Sequence, residues 1–181
     1  TSEDQFRQEF ECEFLGSANT LIHPTKLRHL AFITPQISNN GLDVYEECES
    51  NRSYAVVVDT SRGLDNDYSA FIVVDITDAP YKVVAKYRDR SISPMIYPNV
   101  VYNVAKKYND AHVLVEINDN GQQIADILHY DLEYENVIVT ASHNGVQSVS
   151  SGYGGQATLG IRTTKQVKRI GCTTLKDLIE D

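Results

Sequence analysis

The chain has 181 residues, 41% of them hydrophobic and 23% charged, with a formal net charge of −9. That length buries one sizeable core, and the composition is that of an ordinary globular protein, which excludes a disordered chain. No apolar run approaches the roughly 18 residues a membrane helix needs, and the overall acidity argues against a nucleic-acid partner.

The distribution of charge reverses that last exclusion. Residues 1–50 carry nine acids against Arg7, Lys26 and Arg28, whereas residues 137–176 carry none beside Arg162, Lys165, Lys168, Arg169 and Lys176. Asymmetry of this kind says more about partners than the total does. The N-terminus shows neither a basic n-region nor an apolar h-region, so no secretory signal is expected. A start at Thr1 rather than Met suggests a fragment or processed chain. Cys12, Cys48 and Cys172 are odd in number and widely spaced, as for free thiols in a reducing compartment, and their spacing argues against zinc.

In chain order, Phe6, Phe10 and Phe14 fall at four-residue spacing in an acidic stretch, compatible with a helix or with a strand from Phe10 to Phe14. Residues 15–53 are punctuated by Gly16, Pro24, Pro35, Asn39, Asn40 and Gly41 and read as a connector lying against a core. Within it Pro24 opens a short helix with Leu27, Leu30 and Ala31 on its apolar side. From Tyr54 the pattern becomes regular. Tyr54–Asp59 (YAVVVD) is a strand whose continuous apolar run predicts cover on both faces. Ser69–Ile76 follows as a second strand and Tyr81–Tyr87 as a third, with Lys82, Val84 and Lys86 on a wet face. Pro98 begins an amphipathic helix carrying Val100, Val101, Val104, Ala105 and Tyr108. His112–Glu116 is a fourth strand, then Asn118, Asp119 and Asn120 offer N-caps for a helix bearing Ile124, Ile127 and Leu128. Val137–Thr140 is a fifth strand, so the order is β-β-β-α-β-α-β. Residues 141–164, rich in Ser, Gly and Thr, form either a mobile loop or an extended hairpin. A basic helix over 164–170 stops at Gly171, and a short helix over 175–179 closes the chain.

Two acids end strands in equivalent places, Asp59 after VVV and Glu116 after VLV. If those strands are parallel neighbours, both carboxylates emerge at one sheet edge, where their repulsion is relieved by a divalent cation. Hard oxygen ligands suit Mg²⁺ or Mn²⁺, and a pair of such ions serves phosphodiester hydrolysis. A single strand-end acid is more often a helix cap or a solvent-facing residue; the pair in this strand order carries the signal. Arg62 lies close enough in sequence to contact a scissile phosphate or to pair with Asp65 or Asp67. Lys165, Lys168 and Arg169 share one helix face and suit DNA phosphates, although a solvated basic face looks the same. His23, His29, His112, His129 and His143 show no metal-ligand spacing.

The blocks YAVVVDTSRGLDNDYSAFIVVDIT, YKVVAKYRD, PMIYPNVVYNVAKKYN, HVLVEINDNGQQIADILHYDLEYEN and GCTTLKDLIED carry a family resemblance. They resemble the nuclease domain of the large terminase subunit of tailed bacteriophages, of the T-even type, within the RNase H-like superfamily. The resemblance implies an α/β fold with a mixed, resolvase- or integrase-type sheet flanked by helices. It divides the chain into a connector from an upstream packaging ATPase (1–53) and a nuclease domain (54–181). It implies a metal-dependent endonuclease that cuts concatemeric double-stranded DNA with little sequence preference. Asp59 matches the family's first metal-binding aspartate, Glu116 its second acid, and Asp67 a further loop acid near the metals. The third acid belongs to a later motif that Asp177, Glu180 and Asp181 do not match, so the two-metal site lacks a ligand here. Implied partners are DNA, the ATPase domain of the same polypeptide, the portal protein and the small terminase subunit. The implied setting is the host bacterial cytoplasm, transiently at the prohead portal, with no membrane. Competing readings are a non-catalytic module docking the portal or ATPase, another RNase H-like nuclease or resolvase, and an actin-like ATPase, for which 181 residues leave no room.

Overall fold

Strand alternation fixes which side of the protein becomes core. Along Tyr54–Asp59, Tyr54, Val56 and Val58 are buried while Val57 and Asp59 are exposed. The computed structural model describes residues 21–30, 32–61, 67–143, 146–150 and 157–180. Its elements in chain order are α1 (Pro24–His29), β1 (Ile37–Asn39), β2 (Leu42–Val44), β3 (Tyr54–Asp59), β4 (Ser69–Asp75) and β5 (Lys82–Asp89). They continue with α2 (Tyr97–Lys107), β6 (His112–Val115), α3 (Gly121–Asp126), β7 (Val139–His143), β8 (Val146–Val149), β9 (Ala157–Leu159) and α4 (Lys165–Glu180). A π-helical turn, Ile127–Asp131, extends α3.

The chain divides into two compact units, Thr34–Thr164 and a second made of Thr1–Ile33 with Lys165–Asp181. In the first, a six-stranded sheet runs β1-β2-β5-β4-β3-β6, and a three-stranded sheet runs β8-β7-β9. All pairs in the larger sheet are antiparallel except β3 with β6, which are parallel with Val58 beside Val115. The intervening α2 makes that crossover possible, as a parallel pair requires a long connection. Its buried side, Tyr97, Pro98, Val101, Val104 and Ala105, joins Val56, Val58, Val73, Val113 and Val115 in the core. Ile124, Ala125 and Leu128 from α3 and its π-helical turn complete that layer. The strand order from Tyr54 onward and the mixed sheet with flanking helices match the sequence expectation.

Several expectations change. β3 is covered on one face only: Val57 and its neighbour Ile72 are each 40% exposed. The segment read as a connector supplies β1 and β2, joined by a turn at Asn40 (φ 48°) and Gly41 (φ 82°). Those positive φ values are what the Asn-Gly pair of a tight hairpin favours. A Cβ on Gly41 would stand 2.5 Å from the Arg88 carbonyl oxygen, so glycine also permits the close approach of β5. β2 then pairs with β5, and Val44 is buried. On β5, Val84 is buried and Val83 exposed, the reverse of the expected faces. The cause is a bulge: Val73 faces Ala85 while Val74 faces Val83, leaving Val84 as the extra residue.

Described by itself, the second unit contains α1 and α4. The Lys26 ammonium donates to the Glu180 carbonyl at 2.6 Å, and the His23 N–H to the Glu180 carboxylate at 3.1 Å. α4 runs unbroken through Gly171 instead of stopping there. Gly171 has open space where a Cβ would be, and its cost of about 1 kcal/mol against Ala does not end a 16-residue helix. Of the two readings of residues 141–164, the extended hairpin is seen where the chain is described: β7 pairs antiparallel with β8 and with β9, and residues 144–145 and 151–156 lie outside the described residues. The expected element at Phe6–Phe14, and Ala31 of the Pro24 helix, lie outside the described residues.

Candidate active site

Parallel register between β3 and β6 brings the two strand-end acids together. Val58 lies beside Val115, and the Glu116 N–H donates to the Val58 carbonyl at 2.9 Å, so Asp59 and Glu116 emerge side by side. Both line an open cleft of about 390 Å³ whose walls include Val57, Ala70, Ile72 and Leu114. The Asp59 carboxyl is pushed up to about 6. Partial burial in the cleft is the largest cause, followed by a hydrogen bond with Glu116 and that residue's charge. The Thr60 N–H opposes the rise, and the charge of Asp67 adds a smaller upward push. Two carboxyl groups thus crowd one place, and an incoming cation would relieve their repulsion.

The surroundings hold each acid in place. Tyr97, fully buried, donates its hydroxyl to the Asp59 carbonyl at 3.3 Å, which fixes the end of β3 against α2. Burial pushes the Tyr97 phenol far up, so that donor keeps its proton. The Glu116 backbone bridges Ile161, and the Ile117 N–H donates to the Ile161 carbonyl at 2.9 Å. The Asn118 amide donates to Glu116 Oε1 at 3.3 Å and to the Thr163 carbonyl at 3.2 Å. Asn118 therefore tethers the carboxylate rather than capping α3, whose N-cap position is Asn120, with no side-chain cap bond. Gly121 packs so closely that a Cβ there would lie 1.7 Å from the Glu116 carbonyl oxygen. Asn118, Tyr97 and Gly121 were not singled out from sequence for this role; the NDNG run directly after the strand-end acid was the available signal.

An oxygen-preferring divalent cation fits these residues. The donors are two carboxylates, and among the described residues Asn118 Oδ1 is a buried side-chain oxygen without a hydrogen-bond partner. A buried acceptor lacking a donor costs about 1–3 kcal/mol, which a cation or its water would relieve. Mg²⁺ and Mn²⁺ accept such hard oxygen sets and complete them with water and phosphate. Among the described residues no group of three or more His, Cys, Asp or Glu side chains forms around the pair.

Residues 56–181 match the family described as the terminase RNaseH-like domain. The chain belongs to the terminase RNase H-like domain family. In fold, this terminase domain is similar to crystal structures of the large terminase nuclease from thermophilic phage G20c. The form with bound magnesium gives a TM-score of 0.65 at 18% identity, over 91% of this chain and 72% of that one. The form with bound cobalt gives 0.64 at the same identity and coverage. The form with bound zinc gives 0.58 at 19% identity, over 82% of this chain and 71% of that one. At these identities the likeness speaks to the fold.

The other expected site residues of this terminase domain fall elsewhere. Asp67 is exposed two residues before β4 and accepts the Tyr68 N–H at 2.8 Å; it is not among the described residues lining the cleft. Arg62 lies outside the described residues. Lys165, Lys168 and Arg169 are exposed on α4, in the second compact unit.

Proposed function

We propose that this domain is the divalent-metal-dependent endonuclease of a viral DNA-packaging terminase, hydrolysing phosphodiesters of double-stranded DNA. The observation that carries the reading is the pairing of Asp59 and Glu116 at adjacent ends of parallel strands, in a member of the terminase family. Asp59 and Glu116 would hold Mg²⁺ or Mn²⁺ through carboxylate oxygens, with Asn118 keeping Glu116 oriented. A divalent ion bound there activates a water for attack and stabilises charge on the leaving oxygen. The apolar walls Val57, Ile72 and Leu114 thin out water around the acids and strengthen their hold on cations. Asp67 remains a candidate helper for positioning water or metal from the loop before β4. Lys165, Lys168 and Arg169 on α4 would contact DNA phosphates without reading bases, which suits cutting with little sequence preference. The wider setting follows from the same reading: residues 1–53 as the link from a packaging ATPase, with portal and small terminase subunit as partners in the host cytoplasm.

Plasmid cutting in Mn²⁺ or Mg²⁺ tests the proposal. Nicking of supercoiled DNA by the 181-residue chain should fall at least 100-fold in Asp59→Asn, with the fold intact by circular dichroism. Cutting by Asp59→Asn at the wild-type rate would sink the assignment. Absence of both cutting and metal binding in the wild type would instead favour an interaction module.

A further inference from the structure

We propose that Arg88 and Arg90, stacked on Tyr68, form a docking site for the phosphate backbone of duplex DNA beside the Asp59–Glu116 cleft. That DNA is the ligand rests on the nuclease reading; the arrangement of the arginines does not. Register places them. Asp59 faces Ala70 across β3 and β4, and Ala70 faces Arg88 across β4 and β5, so the three occupy one row. Residues directly opposite in a sheet share a face. Ala70 lines the cleft with Asp59, and Arg88 therefore projects from the cleft's side of the sheet. The next pair along, Phe71 and Tyr87, is buried and stacked at 5.1 Å on the opposite face. Two strand spacings separate Arg88 from Asp59, roughly 10 Å, which is about three base-pair steps of duplex rise.

The Tyr68 ring holds both guanidiniums, and Arg88 also feels the charge of Asp43. Arg88 Cζ lies 5.3 Å and Arg90 Cζ 4.7 Å from the centre of the Tyr68 ring, so one aromatic orients both cations. Both arginines are exposed. The other cations of β5 are already neutralised: Lys82 pairs with Glu46 at 3.2 Å and Lys86 with Asp43 at 3.4 Å. Among the described residues no carboxylate forms an ion pair with Arg88 or Arg90. Asp89, which stands between them, is occupied elsewhere. Its Oδ1 accepts the Ser91 N–H at 2.7 Å, the Ser91 hydroxyl at 3.0 Å and the Ile92 N–H at 2.9 Å. That acid therefore locks the turn that presents the arginines instead of cancelling them. In a chain of net charge −9, two guanidiniums without an ion-pair partner among the described residues, on the same side of the sheet as two acids, are what a polyanion needs to approach those acids.

Salt-dependent binding tests the site. Fluorescence anisotropy of two labelled duplexes of unrelated sequence is followed in EDTA, so that no cutting occurs, between 20 and 200 mM salt (on the order of the range over which counterion release is read). The Arg88→Ala, Arg90→Ala double variant should bind both duplexes about 10-fold more weakly at low salt. Its slope of log K against log salt should be shallower by about 1–2, at roughly 0.9 for each phosphate no longer neutralised. Arg88→Lys with Arg90→Lys should recover most of the slope, and thermal melting should show all variants folded. An unchanged slope in the double-alanine variant, or no duplex binding by the wild type, overturns the site. Mn²⁺-dependent plasmid cutting is scored in parallel. Cutting by the wild type with an unchanged slope defeats this inference alone, whereas a reduced slope with neither cutting nor Mn²⁺ binding by the wild type defeats the nuclease reading and leaves the site standing.

Discussion

Asp59 and Asp75 sit at opposite ends of one β-hairpin, and their surroundings could hardly differ more. Asp75 faces Tyr54 at the end remote from the connecting loop and is 4% exposed. Burial alone would push its carboxyl up. The Thr77 N–H at 2.9 Å and hydroxyl, with the Arg52 guanidinium at 2.8 Å, instead hold it below its usual value. Asp59, at the loop end, has Glu116 for a neighbour and is pushed up to about 6. An aspartate supplied with donors is a structural fixture. One aimed at another carboxylate is kept in that position for something the chain does not itself provide.

The two acids should accordingly respond to neutralisation in opposite ways. The larger effect is expected at Asp75, where Asp75→Asn removes charge from a buried, donor-rich site and leaves Arg52 with Glu49 as its ion-pair partner. Urea unfolding at pH 7 should show a loss of about 2 kcal/mol. Because the Asp75 carboxyl is held low in the fold, that stabilisation is present above its unfolded value of 3.8 and fades as pH falls below it. A full cost persisting at pH 3 would contradict this account of Asp75.

At the loop end, beside Glu116, the sign reverses and the effect is smaller. Asp59 binds its proton more tightly when folded, so its contribution is most favourable below pH 3.8 and is lost as pH rises through about 6. In metal-free buffer Asp59→Asn should therefore be more stable than the wild type at pH 8, by about 1 kcal/mol once solvent screening is allowed for. The gap should close towards pH 4. A destabilised Asp59→Asn at pH 8 would show that the two carboxyls are not in conflict.

Much of the contrast was legible in the residues. Apolar runs that each end in an acid, at 54–59 and 112–116 with an amphipathic stretch between, raised a parallel crossover as a condition, and the β3–β6 register meets it by setting Asp59 beside Glu116. What escaped depends on partners distant in sequence. Val84 changes face because of a bulge, and local alternation does not record one extra residue in a ladder. The Asn40–Gly41 pair was a hairpin signal, but its flanking strands are only three residues each and are secured by pairing with β5. Gly171 looked like a stop, yet a glycine inside a 16-residue helix lowers stability without ending it. Asn118 read as a cap because Asn commonly is one, and only the return of residues 161–163 beside Glu116 gives it another task. Arg88 and Tyr68 lie 20 residues apart and meet only through the β4–β5 register.

Direct measurement of metal binding tests the central claim, that Asp59 and Glu116 together form a cation site. Manganese is titrated into the wild-type chain and into Glu116→Gln at pH 7.5, with free Mn²⁺ followed by electron paramagnetic resonance. The wild type should bind saturably, and Glu116→Gln, which keeps the shape but removes the charge, should bind at least 10-fold more weakly. Equal binding by the two proteins would contradict the account.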